Sequence, residues 1–255
     1  MLTDTHAHLH FDQFRDDLPE VIQRARETGV RRILTLGTEP ESSKASLKIA
    51  RDNPEVFAAV GIHPTEIFKT GESNGSRIKI LAAEKKKVVA IGEIGLDLYW
   101  KEVPLQAQLP VLEKMLQIAH ELNLPVVIHN REAQKEMQHF FRALGISSLR
   151  GVMHSFAGSA EDAQFYLSLG MYISFTGVIT FKNFKETVVV KSIPPERLLL
   201  ETDCPFLAPV PKRGKRNEPA FVKYTAEKLA EIFELPFEEI CRITAQNANQ
   251  LFGWG

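Results

Sequence analysis

Seven side chains able to bind a metal recur along this chain at the ends of short apolar runs: His6, His8, His63, Glu93, His129, His154 and Asp203. His6 and His8 stand two apart in a segment that reads as extended, so both rings leave one face of the pleat and can grip one ion together. Glu93 follows an apolar run and has glycines at 92 and 95. A carboxylate entering a core is costly unless paired or metal-bound, and its two oxygens allow it to bridge two ions. His129 closes Val126-Val127-Ile128, and His154 closes Gly151-Val152-Met153. One histidine alone is more often structural than a ligand, but several at consecutive strand ends point to metal ligation. In Leu200-Glu201-Thr202-Asp203-Cys204-Pro205, the period of two puts Glu201 and Asp203 on one face. Asp203 then reads as metal ligand and proton acceptor, with Glu201 in support, and Cys204 as a spectator thiol. For His63, three roles stay open: orienting substrate, donating a proton or holding a further metal.

The elements that must position these groups are eight strand candidates: Leu2–His6, Arg32–Leu36, Val56–Ile62, Val88–Glu93, Pro125–His129, Gly151–Ser155, Met171–Phe175 and Arg197–Asp203. Several are nearly continuous apolar runs, the mark of parallel strands buried on both faces. Amphipathic stretches lie between them. Leu105–Leu122 carries Leu109, Leu112, Met115, Leu116, Ala119 and Leu122 at helical spacing, and Ala160–Leu169 and Val222–Phe233 read likewise. Ser159 is placed to cap the second of these helices. About eight strand–helix repeats predict a single (β/α)8 TIM-type barrel over residues 1–255. An open doubly wound sheet would gather its site at one switch point, whereas these polar strand ends are spread over all the repeats. Residues 69–76 read as a surface loop, and Lys85-Lys86-Lys87 as solvated surface at a helix end. His10 and Asp12 stand where they could line the rim.

Composition bounds the partners. Lys and Arg number 31 against 32 Asp and Glu in 255 residues, a formal net charge of -1, so no global field draws the molecule to nucleic acid. An anionic partner must be held locally, with modest and salt-sensitive affinity. Two cysteines without CxxC spacing, and a start without basic and apolar signal stretches, lead to the expectation of a cytoplasmic protein. No apolar run approaches the roughly 20 residues needed to cross a bilayer. The oligomeric state is not legible, and a monomer is compatible. One basic patch stands out in the segment after Asp203, Lys212-Arg213-Gly214-Lys215-Arg216-Asn217. Barrel phosphate sites favour the loops after strands seven and eight, so Arg213, Arg216 and Asn217 are candidate phosphate contacts. Arg131, two residues past His129, is another. Tyr99, Trp100, Phe156 and Phe181 could stack on bases.

With these residues in view, the chain resembles the TatD-type metal-dependent deoxyribonucleases of the amidohydrolase-like barrels along its whole length. The resemblance is carried by Asp4-Thr5-His6-Ala7-His8-Leu9, Gly61-Ile62-His63-Pro64, Ile91-Gly92-Glu93-Ile94-Gly95-Leu96-Asp97, His154-Ser155-Phe156, Glu201-Thr202-Asp203-Cys204-Pro205 and Arg213-Gly214-Lys215-Arg216-Asn217-Glu218-Pro219. It implies two divalent ions per chain (zinc, manganese, nickel or magnesium), one held by His6, His8, Glu93 and Asp203 and the other by Glu93, His129 and His154. It also implies exonucleolytic hydrolysis of DNA phosphodiesters. One departure is visible: where the family often reads His-Ser-Arg, this chain has His129-Asn130-Arg131, keeping the ligand and the arginine. Two other functions compete. One is an ester or amide hydrolase on the same barrel, including one for an aminoacyl-tRNA ester. Related phosphotriesterase-like barrels bridge their ions with a modified lysine where Glu93 stands, which disfavours that branch. The other is a non-catalytic metal-binding scaffold.

Overall fold

The computed structural model describes residues 1–69 and 74–254. Its eight strands are β1 (Leu2–Ala7), β2 (Val30–Leu36), β3 (Val56–Val60), β4 (Val88–Asp97), β5 (Val126–Arg131), β6 (Gly151–Met153), β7 (Tyr172–Phe175) and β8 (Leu198–Leu200). They form one parallel sheet in sequence order. The ring closes between β8 and β1 by a single bridge, Ala7 to Cys204. Beside it, Asp203 N–H donates to His6 O and His8 N–H to Cys204 O, both at 2.8 Å. Below that bridge a side chain replaces the ladder. The buried Asp4 carboxylate accepts from Thr202 N–H at 2.9 Å and from the Thr202 hydroxyl at 2.6 Å. Burial lifts the Asp4 pKa to about 8 despite these bonds.

Among the described residues nine α-helices clothe the barrel: α1 (Leu18–Glu27), α2 (Pro40–Asp52), α3 (Asn74–Ala82), α4 (Leu105–Leu122), α5 (Gln134–Ala143), α6 (Ala160–Ser168), α7 (Thr187–Lys191), α8 (Val222–Phe233) and α9 (Phe237–Phe252). The predicted helix over 105–122 forms with those bounds and buries Leu112, Met115, Leu116 and Ala119. Ser159 caps α6 in a reciprocal pair with Asp162. No helix among the described residues is long and apolar enough to cross a membrane.

Parity along the strands builds the site. One apolar cluster lies between sheet and helices, with Ile33, Val60, Ile128, Met153 and Leu200 among its members. A second contains Leu34, Ala59, Val127, Val152 and Leu199 together with Phe252 and Trp254, which close the bottom of the barrel. His129 shares the face of Val127, His154 that of Val152, and Glu201 that of Leu199, because side chains alternate along a strand. The same inward column is therefore apolar below and chemically active above.

Three expectations are revised. The eighth strand was expected to reach Asp203, but the ladder stops at Leu200, and Asp203 adopts a left-handed φ of 58° as the chain crosses toward β1. The lysine run is not wholly solvated: Lys87 Nζ donates to the carbonyls of Asn53, Pro54 and Val56 at 2.9–3.2 Å, sealing the start of β3. Of the loop expected at 69–76, Asn74 to Ser76 instead open α3, while 70–73 lie outside the described residues.

Candidate metal centre

Two bulges aim the central groups. From Ile91 to Ile94 β4 advances three residues while β5 advances two, Val126 to Ile128. Likewise β1 goes from Asp4 to Ala7 while β2 goes only from Ile33 to Thr35. A bulge redirects the side chain at the extra residue, and these two contain Glu93 and His6. Gly95 permits the crowding beside them. Its φ is +150°, and a Cβ there would stand 1.9 Å from His129 O, so only glycine lets β4 and β5 pair at this level.

The ring nitrogens converge on Glu93 from two sides. Oε2 lies 3.4 Å from His6 Nε2 and 3.4 Å from His8 Nε2, while Asp203 Oδ1 is 3.8 and 3.4 Å from the same nitrogens. Oε1 lies 2.9 Å from His129 Nδ1, 3.6 Å from His63 Nε2 and 3.7 Å from His154 Nε2. The carboxylate thus presents one oxygen to each half of the cluster, the geometry a bridging ligand needs. The grouping differs from the implied one in detail. Ligand atoms within 4.8 Å of one another unite His6, His8 and Asp203; His6, Glu93 and His154; and His63, Glu93 and His129. His154 stacks on His6 with ring centroids 3.6 Å apart, against 6.2 Å to His129.

Neighbours select the tautomers. His8 Nδ1 sits 3.1 Å from Leu36 O, which fixes its proton there and turns the Nε2 lone pair to the centre. His129 Nε2 lies 2.9 Å from Asp97 Oδ2, which leaves Nδ1 to face Glu93. Lone pairs of His8 and His129 therefore join carboxylate oxygens around common points, and His6 Nε2 stands 3.2 Å from His8 Nε2. Acceptors gathered without enough hydrogens among them suit a cation. The donor set of imidazole and carboxylate fits a divalent transition metal.

The same carboxylates also draw protons onto some of the rings, and a cation entering the cluster displaces them. Burial opposes charge on every ring, yet Asp203 and Glu93 outweigh it at His8 and lift its pKa to about 10. At His154 burial is outweighed by Glu201, with Asp203 and Glu93, and the pKa rises to about 9. His6 is lowered by burial and by the His154 charge. Burial would raise Glu93, but His63, His6 and His129 hold it well below the carboxylate range. Burial and His129 push His63 down to about 3, against the pull of Glu93.

Two supporting carboxylates hold the rings. Glu201 was expected to assist Asp203; instead its Oε1 sits 2.8 Å from His154 Nδ1 and accepts from Ser155 N–H at 2.7 Å, while Oε2 accepts from the Ser174 hydroxyl at 2.7 Å. With the ladder ended at Leu200, Glu201 alone keeps the inward strand direction, and it meets β6 and β7 instead of Asp203. Glu201→Gln is expected to weaken metal affinity about 10- to 100-fold, since such outer partners orient ligands. Chelator-competition titration reads this, and unchanged affinity would deny the positioning role. Asp97 is the counterpart for His129 and was not singled out in the sequence. Its backbone is gripped by the buried Gln108 of α4, which accepts from Asp97 N–H at 2.8 Å and donates to Asp97 O at 2.7 Å.

The candidate phosphate contacts separate. Asn217 is buried, and its amide donates to Thr202 O at 2.9 Å and Phe206 O at 2.6 Å while Oδ1 accepts from Glu218 N–H at 3.0 Å. It braces the loop, which corrects the expectation of a phosphate contact. Arg216 donates to both Asp17 oxygens, at 2.8 and 2.7 Å, and to Gln13 O. Its fork is occupied by a carboxylate, so Arg216 also leaves the phosphate set. Arg216→Ala is expected to leave KM unchanged and to cost about 1 kcal/mol or less of stability, as for other part-exposed pairs. A raised KM would return it to the substrate. Arg213 donates to Ala208 O at 3.0 Å and stacks on Phe181 at 3.9 Å. Arg131 is exposed, with no ion pair among the described residues. Asn130 faces the helix layer, donating to Gln134 at 2.8 Å and to the Tyr166 hydroxyl at 3.0 Å, so the departure from His-Ser-Arg lies outside the centre. His10 packs on Phe11 at 4.6 Å, and Asp12 pairs with Arg15 in solvent.

Barrel, strand-end histidines and a carboxylate set between them make up the site of a metal-dependent hydrolase. The family described as TatD related DNase matches residues 3–253, and the chain belongs to the TatD family. A Bacillus subtilis relative, described as the uncharacterized metal-dependent hydrolase YabD, is 46% identical over 253 residues, 99% of each chain. The uncharacterized metal-dependent hydrolase YcfH of Escherichia coli K12 is 34% identical over 255 residues, covering 98% of this chain and 95% of its own. The crystal structure of the TatD homolog YjjV from Escherichia coli superposes with a TM-score of 0.93 at 31% identity, covering 99% of this chain and 98% of that one. A lactonase mutant related to phosphotriesterases, from Deinococcus radiodurans, shares the fold alone, with a TM-score of 0.65 at 13% identity.

Proposed function

We propose that this hydrolase cleaves phosphodiester bonds at DNA ends, using two divalent ions. The observation that carries the reading is the division of Glu93, with one oxygen toward His6 and His8 and the other toward His129 and His154. Bound there, divalent ions would activate water and polarise a phosphate oxygen. His6, His8, Glu93 and Asp203 would hold one, and Glu93 with His129 and His154 would hold the other.

The chain's own groups supply the remaining chemistry. Asp203, at the rim of the cluster with a side chain 15% exposed, takes the proton of the attacking water. Glu201 and Asp97 keep His154 and His129 in register. His63 Nδ1 accepts from Thr65 N–H at 3.2 Å and lies 2.7 Å from the Thr65 hydroxyl, so its proton sits on Nε2 and points into the site. That proton makes His63 a donor that orients substrate, the first of its three open roles. Arg131 offers the unpaired guanidinium for a phosphate.

The test compares a phosphate diester, bis(p-nitrophenyl) phosphate, with p-nitrophenyl acetate at matched metal loading. The reading expects diester hydrolysis that chelator abolishes. Turnover of the acetate alone would transfer the centre to carboxylic esters, and turnover of neither on a metal-loaded protein would favour the scaffold.

A further inference from the structure

The exposed aromatics near the strand ends are not scattered. Tyr99 is 44% and Trp100 49% exposed, although large aromatic rings are usually buried. They meet edge to face at 5.0 Å, and the Arg131 guanidinium lies over the Tyr99 ring at 3.7 Å and 6.0 Å from the Trp100 ring. The backbone beneath is fixed by the same carboxylate that fixes a metal ligand. Asp97 Oδ1 accepts from Tyr99 N–H and Trp100 N–H, both at 2.9 Å, while Oδ2 faces His129 Nε2 at 2.9 Å. The rings are thus built into the centre through one side chain and are presented outward.

The geometry points to Tyr99 and Trp100 as a stacking wall for the nucleobase next to the scissile phosphate, with Arg131 reaching that phosphate from the wall's edge. This deepens the phosphodiesterase reading and rests on it. A phosphate and a flat ring on adjacent atoms of one substrate are what a guanidinium stacked on an exposed aromatic pair can meet together. A carboxylic ester of small size would use neither. Every base has a π-face, so the wall selects for an unpaired base without selecting which one. The substrate is held beside the metal centre by its base and its phosphate at once.

Trp100 and Trp254 are the two tryptophans of the chain, and Trp254 is buried at the barrel floor, 3% exposed, so intrinsic fluorescence change on ligand contact reports Trp100. The test titrates the full protein in chelator, where nothing is cleaved, with oligothymidylate and with a tetrahydrofuran-abasic strand of equal length and charge. The wall predicts quenching by the thymidine strand only and binding about tenfold tighter than the abasic strand, the worth of one stacked base. Combined Tyr99→Ala and Trp100→Ala, followed by fluorescence anisotropy of a labelled strand, is expected to bring the two affinities together. Tyr99→Phe with Trp100→Phe keeps both faces and is expected to restore the preference. Equal affinity for the two strands in the parent, or a preference that survives the alanine pair, would overturn the wall. Cleavage is scored separately with metal. A parent that shows the base preference but hydrolyses no DNA refutes the nuclease reading, and one that cleaves without base preference refutes the wall alone.

Discussion

Replacing Glu93 with alanine is expected to strip both halves of the centre of metal and to lower hydrolysis by about a thousandfold or more. The size follows from the several kcal/mol of charge stabilisation a bound ion supplies, at about 1.4 kcal/mol per tenfold. No neighbour can replace it. Glu93 faces all five rings of the cluster, and Asp203 stands 3.8 and 3.4 Å from His6 and His8 alone, on one side. The parent should gain thermal stability when metal is added, about 2.7 kcal/mol at a hundredfold excess over Kd. That corresponds to about 5–10 °C for a chain of this length. The variant should gain none. A Glu93→Ala protein that retained the parent's metal content and melting shift would show that the ions, if bound, sit elsewhere.

Asp203→Asn separates chemistry from ligation. Asp203 sits at a left-handed φ of 58°, a conformation asparagine tolerates well, so the substitution leaves the backbone undisturbed. The amide keeps an oxygen toward His6 and His8 but cannot take a proton. Turnover is expected to fall about 10²- to 10⁴-fold, the range for a general base, with metal content reduced far less. Burial would raise the Asp203 pKa, yet its hydrogen bond with His8 and the charges of His154 and His6 lower it, so the group is ionised and ready to accept. Hydrolysis at the parent rate with equal metal occupancy would remove Asp203 from the chemistry.

Most of the barrel and the ligand-type residues were legible because the signals are local. A run such as Val126-Val127-Ile128-His129 states its own parity, and β5 places His129 on the inward face with Val127. What escaped the sequence depends on distant partners. Asp17 lies 199 positions from Arg216, and nothing near either one announces the pair that removes Arg216 from phosphate binding. The closure of the barrel through Asp4 and Thr202 spans 198 positions. The period of two puts Glu201 beside Asp203, whereas the fold carries it across a separation of 46 positions to Ser155 and the adjoining His154. Asp97 was within reach. It stands two and four residues past Gly95 and Glu93 in one strand, and a carboxylate at that spacing shares their face. Gln108 was not, since one polar residue in an amphipathic helix is ordinarily solvent-facing.

The most direct measurement is cleavage of an end-labelled single-stranded DNA oligonucleotide by the purified protein, with magnesium, manganese, zinc, nickel or chelator. Progressive shortening from one end with metal, absent in chelator and in Glu93→Ala, is the predicted result. An intact strand under every metal, from protein shown to carry its ions, would contradict DNA hydrolysis and leave a metal-dependent hydrolase for another bond.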